Sequence, residues 1–97
     1  MITNDIYDVQ LSEKAWKDFR RIPEFIAIKL QSWIDAVGHR GLFEVRKIPG
    51  FHDEPLKGNR AGQRSIRLNK AYRAIYIIDK LDTIKFVEIQ EINKHAY

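Results

Sequence analysis

No cysteine occurs anywhere in the chain, which excludes disulfide stapling and thiolate zinc sites and fits a reducing cytoplasm. No apolar run approaches the roughly 18–20 residues that span a bilayer. The first residues, MITNDIYD, lack the basic start and apolar stretch of a secretory leader, so the expectation is a cytoplasmic protein. Internal repeats and low-complexity linkers are missing too. Gly58 and Gly62 lie in a basic loop without the Gly-Lys-Ser/Thr ending of a phosphate-cradling loop. Nothing has the form of a serine nucleophile elbow. The three histidines, His39, His52 and His95, show no HxxxH spacing, so no metal site and no cofactor is expected.

What is present is the composition of a globular protein: 44% hydrophobic and 11% aromatic residues over 97 positions. That length suits a single domain, residues 1–97, around one modest core. The formal net charge is +4, and the isoelectric point is about 9.5. The charge is unevenly placed. Residues 40–73 hold nine Lys/Arg against three Asp/Glu, while the rest of the chain holds eight against ten. Arg64, Arg67 and Arg73 fall in or beside strand patterns; Lys57, Arg60 and Lys70 fall in the turns between them. A regional excess of this kind reads as a surface for an anionic partner, or as a solvated basic loop that keeps the protein soluble.

The hydrophobic pattern changes period half-way along. Ile6–Leu11 alternates as a short strand does. Ser12 is placed to cap a helix over Glu13–Arg21, with Leu11, Ala15, Trp16, Phe19 and Ile22 as its apolar stripe and Lys14, Lys17, Asp18, Arg20 and Arg21 facing out. Pro23 opens a second helix on which Ile26, Leu30, Trp33, Ile34 and Val37 recur, and Gly38 is suited to end it. Trp16 and Trp33 read as core anchors of a helical hairpin, and His39 as a helix-end residue. Residues 39–48 fit a third helical turn or two that Pro49-Gly50 stops. Arg64–Leu68, Tyr72–Asp79 and Thr83–Glu91 read as strands, with Lys80-Leu81-Asp82 as a tight turn. Loops this short make the last three strands antiparallel neighbours. The expected fold is α+β, in the order β-α-α-β-β-β. A helical hairpin packs on one face of a mainly antiparallel sheet, and the other face is left for function.

What remains for chemistry is carboxylate, arginine and histidine in a basic, partly aromatic setting. Such a set is able to cleave RNA without a metal. RNA brings its own nucleophile, the 2′-OH, so the protein supplies a base, an acid and cationic stabilisation of the phosphorane-like transition state. On the residues alone, Glu54 also reads as a surface carboxylate or as a structural ion-pair partner of Arg73. Arg64 and Arg67 also read as docking residues, and His52 is a spare acid–base group.

The segment DEPLKG (Asp53–Gly58), followed by RSIRL and YRAIY and a terminal HxY (His95, Tyr97), resembles the RelE/ParE superfamily of toxin–antitoxin toxins. The likeness is greatest to RelE/StbE and YoeB-like mRNA interferases, and the expected element order matches theirs over nearly the whole chain. The resemblance implies a ribosome-dependent endoribonuclease that leaves a 2′,3′-cyclic phosphate and a 5′-OH. It implies no cofactor, and a cognate antitoxin, the ribosome and mRNA as partners. It casts Glu54 as general base, Arg73 as transition-state stabiliser, His95 as general acid and Tyr97 as the residue that orients the substrate base. Lys57, Arg60, Arg64, Arg67 and Lys70 become RNA ligands. YoeB-like chains end on adjacent His-Tyr; here Ala96 intervenes, which in extended chain brings His95 and Tyr97 to one side. The alternative within the superfamily is a ParE-like DNA gyrase poison without nuclease activity. A third reading is an RNA-binding module that grips by charge and stacking without cleaving.

Overall fold

A computed structural model describes residues 4–94. His95 and Tyr97 lie outside the described residues. The elements in order are β1 (Val9–Leu11), α1 (Glu13–Phe19), α2 (Glu24–Arg40), α3 (Leu42–Val45), β2 (Glu54–Pro55), β3 (Arg64–Arg67), β4 (Tyr72–Leu81) and β5 (Ile84–Lys94), with 3-10 turns at Pro49–Phe51 and Gly58–Arg60. The five strands form one sheet in the order β1-β5-β4-β3-β2. β1 runs parallel to β5, and the other neighbours are antiparallel. This is the expected α+β architecture, with an added two-residue strand, β2, at the edge. Among the described residues no helix is long and apolar enough to cross a membrane.

Helix α1 starts where the sequence places it. Ser12 Oγ accepts from the Ala15 amide at 3.0 Å and donates to the Gln90 carbonyl at 2.8 Å, so the cap also ties the helix to β5. Only Ala15 of α1 is buried. Trp16, expected in the core, is 50% exposed and meets Phe19 edge-on at 6.0 Å. A seven-residue helix lying close on a sheet has room for a methyl beneath it and leaves the indole at its rim. Asp18, expected to face out, is partly buried and accepts from the Ile92 amide at 3.0 Å.

Helix α2 buries Ile26, Leu30, Trp33 and Val37, one stripe at helical spacing. It does not stop at Gly38. It runs to Arg40 and ends at Gly41, whose φ of 89° suits glycine. A Cβ on Gly41 would run into the Asp5 carboxylate. That carboxylate accepts from the Phe43 and Ile6 amides, each at 2.8 Å. The N-terminal segment, distant in sequence, therefore decides where α2 ends.

The helices cover one face of the sheet. There Trp33 packs on Tyr76 with centroids 5.2 Å apart, amid Ile66, Ala74, Val87, Ile89 and Ile92. β4 runs two residues past its expected end, to Leu81, and β5 starts one residue later than expected, at Ile84, and runs three residues further, to Lys94. Their register slips between Ile75 and Tyr76, because Ile75 faces Glu91 while Tyr76 faces Ile89. The extra residue, Gln90, forms a bulge that turns Glu91 and Asn93 to the second face. That second face is not bare: Ile75 is wholly buried there.

Candidate active site

Cross-strand partners share a sheet face, and successive residues alternate between faces. Glu54 lies opposite Ser65, Ser65 opposite Ile75, and Arg67 opposite Arg73. Glu54, Ser65, Arg67 and Arg73 therefore share the face away from the helices. An open cleft of about 140 Å³ lies there, walled by His52, Glu54, Arg67, Lys70, Tyr72 and Arg73 among others. Asn69 builds its rim: its Oδ1 accepts from the amides of Ala71 and Tyr72 at 2.8 and 2.7 Å and closes the β3–β4 turn.

The segment Phe51–Glu54 enters this cleft by alternation. Phe51 is buried, with Lys29 Nζ 4.7 Å from its ring centre. His52 faces out in left-handed backbone at φ 46°. The Asp53 side chain is fully buried, and Glu54 is exposed again. His52 and Glu54 thus reach the cleft while Phe51 and Asp53 hold the chain down.

The electrostatics of the cleft are unbalanced. Arg67 and Arg73 sit directly across from each other, an arrangement of like charges that opposes folding. Neither forms an ion pair among the described residues, and Glu54 is not joined to Arg73. Arg73 Nε is buried with no hydrogen-bond partner among the described residues. A buried unsatisfied donor costs about 1–3 kcal/mol. Two arginines at opposed positions, one with an open donor, have the chemistry that suits an anion with several oxygens, such as a phosphodiester.

Other residues of the basic segment are engaged elsewhere. Arg60 Nη2 pairs with Glu91 at 2.6 Å and its Nε donates to Gln63 at 2.8 Å. The hydrogen bond from Arg60, then that from Asn93, holds the Glu91 carboxyl below the usual carboxylate range. Arg64 Nε donates to Asp53 Oδ1 at 2.7 Å, and the Tyr76 hydroxyl donates to Asp53 Oδ2 at 2.5 Å. Burial opposes the Arg64 charge, but the bond to Asp53 and its field outweigh that, so Arg64 holds its proton more tightly than usual. Burial, and next the bond to Asp53, push the Tyr76 phenol up. Lys57 is exposed beyond the cleft wall. Of the basic residues singled out from sequence, Arg67, Lys70 and Arg73 line the cleft, whereas Arg60 and Arg64 are held by carboxylates. Sequence reasoning missed Asp53 and Tyr76 as parts of the site's support; their only signal was strand register, which is not local. Among the described residues no group of three His, Asp or Glu is arranged to hold a metal ion.

The architecture occurs in solved toxins. YafQ from E. coli superposes with a TM-score of 0.69 at 17% identity, over 91% of this chain and 92% of that one. The chain has the RelE/ParE toxin fold. The YoeB/ParE toxin from Agrobacterium tumefaciens shares it at a TM-score of 0.66 and 20% identity, over 92% of this chain and 99% of that one. So does the RelBE2 toxin–antitoxin complex from Mycobacterium tuberculosis, at 0.66 and 22%, over 93% and 99%. No family model matches the sequence, and no curated protein matches it significantly. At these identities the RelE/ParE likeness is one of fold, and the chemistry rests on this chain's own cleft.

Proposed function

We propose that the protein is the toxin of a toxin–antitoxin pair and an endoribonuclease that cuts mRNA on the ribosome. The observation that carries the reading is the cleft face of β2, β3 and β4. It sets a solvent-accessible carboxylate, Glu54, beside two opposed arginines, one with an unpartnered buried donor.

Glu54 takes the proton from the substrate's 2′-OH. The freed oxygen attacks the adjacent phosphorus, and the phosphorus–5′-oxygen bond breaks. Arg73, with Arg67, holds the non-bridging oxygens as charge builds on them, which is where prepositioned donors act most strongly. His95 gives a proton to the leaving 5′-oxygen, and Tyr97 orients the base. His52, on the cleft wall, is the second candidate for the acid. The products are a 2′,3′-cyclic phosphate and a 5′-OH. Lys70 and Lys57 steer the RNA backbone. The antitoxin is a separate protein that covers this basic surface; solved structures of the same fold include the YoeB–YefM complex from Staphylococcus aureus and the RelBE2 toxin–antitoxin complex.

The test is 5′-end mapping of transcripts after brief induction in bacteria, beside a Glu54→Gln/Arg73→Ala variant of equal abundance. New cuts within translated regions, absent from the variant, are the expected result. Growth arrest with a DNA-damage response and no new cuts would instead make the protein a gyrase poison. A substrate with a 5′-bridging sulfur, which leaves without a proton, assigns the acid. It should restore cleavage to whichever of His95→Ala and His52→Ala has lost the acid.

A further inference from the structure

We infer that the buried carboxylate of Asp53, bridged by Arg64 and Tyr76, is a positioning residue that fixes the face of the sheet to which Glu54 presents its carboxylate. The functional half of this inference rests on the proposed role of Glu54; the structural half does not.

Strand β2 is poorly held by its own backbone. It has two residues, both exposed, and Pro55 has no amide to donate. It lies at the edge of the sheet, so among the described residues no strand pairs with its outer side. Because side chains alternate with period two, a slip of one residue would turn Glu54 from the cleft to the opposite face. Something other than the strand ladder must prevent that slip.

Between Phe51 and Leu56 the only fully buried side chain is that of Asp53. Each of its two oxygens has a donor on a different strand: Arg64 on β3 at 2.7 Å and the Tyr76 hydroxyl on β4 at 2.5 Å. Those donors are themselves opposite one another in the β3–β4 register. Tyr76 is immobilised by its ring contact with Trp33, and its hydroxyl also accepts from Arg46 Nε at 3.3 Å. The carboxylate is thus pinned to the two strands that carry Arg67 and Arg73. With Asp53 directed to the helix side, alternation directs Glu54 to the cleft. The same strands therefore set base and phosphate ligands relative to each other.

The experiment compares Asp53→Asn and Tyr76→Phe with the unaltered protein. Native-state hydrogen exchange is read at the Leu56 amide, which bonds to the Gln63 carbonyl at 2.9 Å beside β2, and at Ile75 in the central strand β4. For Asp53→Asn, Leu56 should exchange at least about tenfold faster while Ile75 is unchanged, the mark of local opening. Single-turnover cleavage of ribosome-bound mRNA should fall about tenfold to a hundredfold at unchanged RNA affinity, as misplacement of a catalytic group does. The limb of the pH–rate profile that Glu54→Gln abolishes should shift. Tyr76→Phe keeps the Arg64 bond, so its losses should be smaller, and it carries the test if Asp53→Asn does not fold.

Equal loss of protection at Leu56 and Ile75 would make Asp53 a general stabiliser and overturn the inference. So would unchanged protection at Leu56, or a rate loss matched by a loss of affinity. If the unaltered protein cuts no RNA, the functional reading of Glu54 fails. The exchange at Leu56 would then still decide whether Asp53 holds β2.

Discussion

Arg67 and Arg73 are opposite each other on adjacent strands, and among the described residues neither is paired with a carboxylate. A sequence selected for stability alone would place a neutral or acidic side chain at one of these positions. Arg67→Thr is therefore expected to raise folding stability by about 0.2–1 kcal/mol, measured by urea denaturation, while weakening RNA binding. Arg73→Ala should slow single-turnover cleavage by about 10²–10³ with a much smaller change in RNA affinity. A normal rate in that variant would remove Arg73 from the chemistry. Glu54 and Arg73 could be singled out as candidates in the sequence because EPLKG and YRAIY are local patterns, and the fold brings both to one cleft. The pairing of Asp53 with Arg64, eleven positions away, could not be read in that way. It depends on which residues the β2–β3 register brings together.

Among the elements, α2 and the β4–β5 hairpin follow from their periodicity, and their ends do not. The sequence pattern points to Gly38 as the terminator of α2, but the helix passes through Gly38 and stops at Gly41. The difference lies in Asp5, whose carboxylate occupies the space a side chain at position 41 would need and caps the next turn through the Phe43 amide. Gly41→Ala should accordingly destabilise the fold by about 1–3 kcal/mol, seen as a fall of several degrees in Tm. Gly38→Ala, in regular helix where a Cβ would meet the Tyr7 carbonyl at an ordinary contact distance of 4.0 Å, should be neutral or stabilising. Trp16 shows the same limit. Its spacing puts it on the apolar stripe, but the shallow seating of α1 leaves it half in solvent.

Across the molecule, the basic excess of residues 40–73 is divided. Arg60 and Arg64 neutralise Glu91 and Asp53, Lys47 pairs with Glu44, Arg46 donates to the Tyr76 hydroxyl, and Arg67, Lys70 and Arg73 line the cleft. The logarithm of single-stranded RNA affinity should fall with the logarithm of salt by about 0.7 for each phosphate contacted. Lys70→Ala should reduce that slope by about one contact. Arg64→Ala should leave the slope unchanged and lower the stability instead. Glu91 gives a pH dependence of defined sign. Its folded pKa is depressed, so its pairing stabilises the protein above the ordinary carboxylate value of 4.5 and is lost as pH falls below it. Urea titrations of the protein and of Glu91→Gln should therefore differ at pH 6 and converge toward pH 3.

Composition and periodicity by themselves determined the α+β class, the helical hairpin, the antiparallel order of the last three strands and the basic character of one region. These depend on hydrophobic repeat and short loops, which act between residues close in the chain. Tertiary structure alone decided the parallel pairing of β1 with β5, the edge strand β2, the stop at Gly41 and the division of arginines between support and cleft. Each of these depends on which distant backbone or charge arrives beside a residue. A buried carboxylate such as Asp53 requires its partners in place, and those partners are set by strand register rather than by sequence neighbours.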